Sequence, residues 1–481
     1  MSDLRLGSPG SPEVVVVGGG LAGMAAALAC ADAGARVTLL EKRAHLGGLT
    51  WSFTHDGISM DNGQHVFLRC CTAYLDFLDR IGSAGDVELQ DRLDVTVVAP
   101  PGWSRGTDRT GSAAGQADGA EAAPISAVLR RDRVRPPLHL ARSLLSYSHV
   151  PWSERARMGP AVLALSRLDL DDPALDEVTF EEWLLRYHQG PSAIAALWDL
   201  ICLPTVNLPA REASLAMAAK VFQTGLLTDS AAGDIGWSRV PLGLLHGERG
   251  AAALRKAGAQ VHLSEAVAGV RTDGPPGRFT VSTANGEVGA DAVIVALPHY
   301  STEELLPAGA LGDHRPSLLG SSPIVNVHVR FDRRVMDKPL AASLGTAAQW
   351  VFDRTASSGA ERGQYLAVSI SAAQDHIGAR PAELGEQVVA ALRRLFPRAR
   401  RAEVLSTFVT REHHATYRAA KGSAVHRAPA RTRVPGLAVA GAWTSTGWPP
   451  TMEGAVRSGV AAARAALVAA GQRRALPALK P

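Results

Sequence analysis

Gly18, Gly20 and Gly23 stand in G-x-G-x-x-G spacing directly after the run Val14–Val17, and Glu41 closes the next apolar run. Gly18 permits a tight turn, Gly20 lets a pyrophosphate come against the backbone, and Gly23 allows a helix to pack closely on the preceding strand. The N–H groups of Leu21 and Ala22, at the start of that helix, are free to meet phosphate oxygens. Glu41 can accept hydrogen bonds from an adenosine ribose and would repel a 2′-phosphate. The expected chemistry is dinucleotide binding. His65 ends the string Met60-Asp61-Asn62-Gly63-Gln64-His65. Its imidazole titrates near neutrality, which makes it the first candidate for delivering a proton. The alternative is that it only packs or hydrogen-bonds beside the ligand. His328, Glu412 and His413 are weaker candidates, and the bland reading of His328 is a polar residue on the exposed face of a strand. The four cysteines, Cys30, Cys70, Cys71 and Cys202, form no CxxC pair or metal-ligand spacing, so no metal site is expected.

These residues need a scaffold. Val14–Val17 is β-branched without polar alternation, the pattern of a strand buried on both faces of a parallel sheet. A helix from Leu21 to Ala33 ends at Gly34, well placed as the residue after its cap, and a strand over 35–40 completes a βαβ unit. Ala292–Ala296 and Leu437–Ala440 read as further buried strands. The latter is followed by Gly441 and by a helix over 451–470 that starts after Pro449-Pro450. From Ser322 to Phe331 apolar residues alternate with Asn326, His328 and Arg330, which predicts a half-exposed strand in a second sheet. The fold class expected is α/β, a Rossmann-like dinucleotide-binding domain with a parallel sheet, interleaved with an α+β substrate domain.

The chain has 481 residues, 46% hydrophobic and 20% charged, enough for large buried cores. Its 50 basic and 46 acidic residues are dispersed, so nucleic acid is not an expected partner. Residues 1–12 are rich in Gly, Ser and Pro and read as a disordered tail, not a signal peptide. The cysteine usage fits a reducing cytoplasm. The dinucleotide-binding domain is expected over 13–98, 241–300 and 434–473. A flexible insertion over 99–124 contains no Val, Ile or Leu, a helix-rich first part of the substrate domain spans 125–240, and its second part spans 301–433. The segment Arg130–Leu140 mixes arginines with apolar residues and is followed by Leu144, Leu145, Tyr147 and Trp152. It is a candidate for peripheral membrane contact, against the alternative of a solvated basic surface.

Arg43, Gly47 and Gly48, just past Glu41, resemble the dinucleotide-binding extension of the flavin amine oxidase and phytoene desaturase superfamily. Gly441-Ala442-Trp443-Thr444 and Thr451-Met452-Glu453-Gly454-Ala455 resemble its C-terminal flavin segment. The resemblance implies FAD, with a helix N-terminus facing the flavin pyrimidine ring. Within that superfamily the Asp61–His65 string, Ser322-Pro323-Ile324, Trp350-Val351-Phe352, Arg411-Glu412 and the 451–459 block resemble the hydroxysqualene dehydroxylases of bacterial hopanoid synthesis. By that resemblance Lys42, Arg43, Gly48, Leu49, Gln64, Val267, Gly441, Ala442, Thr451, Met452 and Glu453 join the glycine fingerprint as cofactor-binding residues, and the substrate is a hydrophobic isoprenoid. The electron donor is not named by it. Two positions depart from the pattern: Ala442 stands where Gly-Asp is usual and Leu49 where Arg is usual, each removing a charged contact worth about ten-fold in affinity. A carotenoid-type desaturase is the runner-up, and a non-catalytic isoprenoid carrier with a degenerate flavin site, as in Rab GDP-dissociation inhibitors, is the alternative of a different class.

Overall fold

The computed structural model describes residues 10–103, 122–272 and 278–471. The Val14–Val17 run forms the centre of a five-stranded, wholly parallel sheet. Glu13–Val17 pairs with Arg36–Glu41 on one side and Ala292–Val295 on the other, and Gln260–Leu263 and Leu437–Val439 form the edges. The central strands are buried on both faces, which is why their sequences do not alternate. Helix Leu21–Asp32 ends with Gly34 at φ +94°, as expected. It lies against helix Met452–Ala469, where Gly459 permits close contact: a Cβ there would fall 2.1 Å from the Ala22 carbonyl oxygen. The first and last helices of the described residues are therefore neighbours.

A seven-stranded mixed sheet forms the second layer, in the order Val404–Tyr417, Ser321–Phe331, Gln364–Ile370, Trp350–Asp353, Leu340–Ser343, Asp94–Ala99 and Ile125–Arg130. The expected boundary at 98 needs correction. Asp94–Ala99 pairs with Ile125–Arg130 and with Leu340–Ser343, so backbone pairing carries it into the second domain, where Ile125–Arg130 is expected. The 125–240 region is helix-rich as expected, but it opens on that strand and holds a second, Ile235–Ser238, which pairs with Val66–Leu68. Most of the 99–124 insertion and of the 1–12 tail lies outside the described residues.

The half-exposed reading of Ser321–Phe331 is also corrected. Asn326 and His328 are each 1% exposed, because the face carrying them is covered by the Asn62 loop, Phe408, Thr410 and Tyr365. Period-two alternation reports two chemically different faces; here both are buried, one apolar and one hydrogen-bonded.

Candidate active site

The glycine loop leaves the central strand at Gly18, whose φ of +103° suits glycine, and Gly23 lies so close that a Cβ would fall 1.8 Å from the Gly18 oxygen. Gly20 caps helix Leu21–Asp32 without any side-chain acceptor, although Leu21, Ala22 and Gly23 are buried. Buried amides at a helix start require an acceptor, and an anion supplies one. Beside them, the Gly47 N–H donates to the Gly19 oxygen over 2.9 Å, and a Cβ on Gly48 would come 2.9 Å from Gly20 Cα. The two glycine pairs thus form a cradle stripped of side chains. Arg43 donates to the Gly48 carbonyl over 3.0 Å, which holds a guanidinium beside the cradle although Leu49 replaces the customary arginine.

Glu41, 6% exposed, accepts from the Gly19 N–H at 2.5 Å and the Arg43 N–H at 2.8 Å. Val267 begins the strand that follows Ser264 and Glu265, whose amides donate to the Arg43 and Glu41 carbonyls. Val267 therefore stands close to Glu41 and Arg43. Lys42 is exposed, and no described partner draws its side chain into the site.

The Asp61–His65 string is clamped from several sides. Asp61 accepts from Ser52 (2.7 Å), the Leu242 N–H (2.9 Å) and Arg354 (3.0 Å). Arg354 also donates to the Ser238 carbonyl over 2.6 Å, so this buried ion pair ties the string to the second sheet. The Asn62 carbonyl accepts from Asn326 and Thr410. These partners come from distant parts of the chain. Gln64 is left with a buried amide nitrogen that has no partner. At His65 burial pulls the pKa below the ordinary 6.5, while the Asp61 carboxylate and the nearby Leu49 backbone push back. Gln64 and His65 line a crevice whose other walls include Trp237, Leu242, Leu340 and Phe352.

At the C-terminal half-site the Thr451 hydroxyl accepts from Gly454 N–H over 3.2 Å and caps the helix. The expected role of Glu453 as a cofactor contact is corrected for its side chain. Both carboxylate oxygens accept from the Ala73 and Tyr74 amides at the start of helix Thr72–Arg80, one also accepts from Arg457 at 2.6 Å, and the residue is 1% exposed. It docks one helix start onto another. Ala442 contributes no charge, but the loop around it is fastened by residues that local motifs do not mark. Arg427, 4% exposed, donates to the Trp443, Thr444 and Trp448 carbonyls at 3.1, 2.6 and 2.9 Å. The Trp443 indole donates to the Leu297 carbonyl over 2.9 Å, joining the loop to the segment after Ala292–Val295.

The weaker catalytic candidates separate. His328 is held by Tyr365 at 2.6 Å and Thr410 at 3.2 Å, and burial drives its pKa to about 3, so it is a neutral internal brace. His413 is exposed. Glu412 is half-buried, and its charge, with that of Arg43, is felt by Tyr300.

The sequence pattern of the flavin containing amine oxidoreductases matches residues 21–467. The chain belongs to this family. As a flavin amine oxidoreductase it is an FAD-dependent enzyme, and the uncapped helix start, the bare glycine cradle and the unpartnered Gln64 amide fit that cofactor. It is similar, at 26% identity, to a hydroxysqualene dehydroxylase from Zymomonas mobilis, over 94% of this chain and 98% of that protein. A zeta-carotene desaturase from Synechocystis is 24% identical over 95% of this chain and 97% of its own. Among solved structures, putrescine oxidase shares the fold with a TM-score of 0.68 at 19% identity, covering 94% of this chain and 98% of that one. In this family member, Gly18–Gly23, Arg43 and Gly48 would hold the pyrophosphate, Glu41 and Val267 the adenosine, and Gln64 with the Thr451–Glu453 backbone the flavin end.

Proposed function

We propose that this protein reductively removes the allylic hydroxyl of hydroxysqualene, leaving squalene. Bound reduced FAD would supply the hydride. The chain's own residues must then hold a long apolar substrate and deliver a proton to an oxygen that leaves poorly as hydroxide. Trp237, Leu242, Leu340 and Phe352 offer apolar walls. The observation that carries the reading is His65, set near the Leu49 backbone of the flavin cradle with Asp61 acting on its charge. A neutral imidazole carries a proton on one ring nitrogen only; both hold one when the ring is cationic, and Asp61 favours that cation.

Because burial lowers the His65 pKa, turnover that depends on its cation should fall as pH rises through a value below 6.5. The test is conversion of hydroxysqualene to squalene with chemically reduced FAD. His65→Ala should lower the rate by about 10²–10⁴-fold with flavin still bound, and His65→Gln, which donates a hydrogen bond but no proton, should behave likewise. If His65→Ala keeps most of the rate, its role is structural, and Glu412 beside Tyr300 is examined next. A second reading, carotenoid desaturation, rests on the equally extensive similarity to zeta-carotene desaturase. Incubation with phytoene and zeta-carotene separates the two, since only a desaturase yields extended polyenes.

A further inference from the structure

Nearly half of the large apolar side chains left exposed among the described residues lie within residues 125–163. The most prominent are Val134 (49% exposed), Leu138 (67%), Leu145 (57%) and Trp152 (61%). They form one neighbourhood. The turn Leu138–Leu140 runs directly into helix Ala141–Ser146, so Leu138, Arg142 and Leu145 follow at helical spacing along one side. Arg155 donates to the Leu145 carbonyl and lies 5.3 Å over the Trp152 ring, which sets Trp152 beside Leu145. The Asp132 N–H donates to the His139 carbonyl over 2.7 Å, closing the loop that carries Val134.

Guanidinium groups are interleaved with these apolar tips. Arg133, Arg135, Arg142 and Arg157 are exposed and make no ion pair with a described residue, whereas Arg130 and Arg131 of the same segment are bound by Asp94 and Asp234. Arg133 and Arg135 border a recess of about 540 Å³ in which Asp229 is the facing acid. A chain with a net charge of only +4 thus gathers, around protruding apolar side chains, four positive charges with no ion-pair partner among the described residues. An apolar protrusion ringed by arginine and carrying a tryptophan matches a bilayer interface, where the tips enter the acyl boundary and the guanidiniums meet lipid phosphates.

We propose that this surface docks the protein peripherally on an anionic phospholipid bilayer. No helix among the described residues is long and apolar enough to cross a membrane, and docking requires none. The proposal goes beyond the catalytic reading and is independent of it, because its test contains no isoprenoid.

The FAD-loaded protein is sedimented with phosphatidylcholine vesicles, with and without phosphatidylglycerol, at low and high salt. It should pellet with the phosphatidylglycerol vesicles at low salt and be released by high salt. Arg133→Gln, Arg135→Gln and Arg142→Gln should each weaken that binding about fivefold. Leu138→Ser with Trp152→Ser should weaken it further while leaving the flavin spectrum and melting temperature unchanged. The proposal is overturned if no vesicle retains the protein, or if the variants pellet as the parent does. It is equally overturned if Leu138→Ser with Trp152→Ser converts an oligomer to a monomer in size-exclusion chromatography without altering pelleting; the patch is then a contact between copies of this chain.

Discussion

Gly20 and Gly23 differ in what a methyl group would meet, and two single substitutions should separate ligand space from packing. At Gly20 the backbone is extended, φ −73° and ψ 179°, a conformation any residue adopts, and an added Cβ meets only Gly48 Cα at 3.8 Å. Gly20→Ala should leave the apoprotein unharmed or raise its stability by about 0.4–1 kcal/mol through the unfolded chain. The same methyl would occupy the space over the helix start where a pyrophosphate must approach. Losing one charge-assisted hydrogen bond of about 1.5–3 kcal/mol weakens FAD by roughly 10- to 150-fold. At Gly23 the Cβ would lie 1.8 Å from the Gly18 oxygen. Ordinary contact needs about 3.3 Å, so the helix must back away by about 1.5 Å, and such overpacking costs about 1–3 kcal/mol. Gly23→Ala should therefore melt lower even without flavin. Calorimetric melting of the apoproteins and titration with FAD provide both readouts. A Gly20→Ala protein that binds FAD as the parent does, or that melts several degrees lower, would refute this assignment of space.

Three other outcomes follow from the site. Arg354→Met should destabilise the fold by about 3–5 kcal/mol in guanidinium unfolding by leaving Asp61 buried without its charged partner, and adding Asp61→Asn should recover part of that loss; a double variant whose loss equals the sum of the two single losses would show that the pair is not coupled. Glu453→Gln should cost about 1–3 kcal/mol, because the Ala73 and Tyr74 amides and Arg457 lose a charged acceptor; an unchanged unfolding midpoint removes that role. His246, His328 and His299 have pKa values pulled by burial from 6.5 to about 3, about 3 and about 4. Each takes up its proton more readily unfolded than folded, so stability present above pH 6.5 is lost as pH falls toward those values, by up to about 1.4 kcal/mol per histidine per pH unit. Guanidinium midpoints that do not move between pH 7.5 and 5.5 would contradict this.

Local chemistry made part of the molecule legible in advance. The valine run, the glycine turn, Gly34 and the Pro-Pro pair before the last helix act within a few residues of themselves, so their reading carries over into the observed elements. The sites where expectation and structure part depend on long-range pairing. His328 looks like the polar half of an alternating strand until Tyr365 and Thr410 close over it, and nothing near residue 328 announces them. Asp94–Ala99 reads as the end of the first domain because its partner, Leu340–Ser343, is far along the chain. Glu453 sits in a flavin-like motif yet serves the helix at Thr72. Arg427 and Arg354 carry no motif at all; a buried arginine is recognised only once the carbonyls and carboxylate around it are known.

The parallel sheet has a consequence for how the protein is made. Its central strand, Glu13–Val17, is made long before the edge strand Leu437–Val439 and the second half of the flavin cleft. At roughly 5–20 residues per second, the intervening chain takes roughly 20–85 s to synthesise. Through that interval the Leu21–Asp32 helix lacks Met452–Ala469 and its Gly459, Ala292–Val295 lacks its neighbour once it is made, and no complete pocket exists to retain the cofactor. Flavin loading is thus a post-translational event, and a nascent or prematurely terminated chain should remain colourless and present an open sheet edge to chaperones.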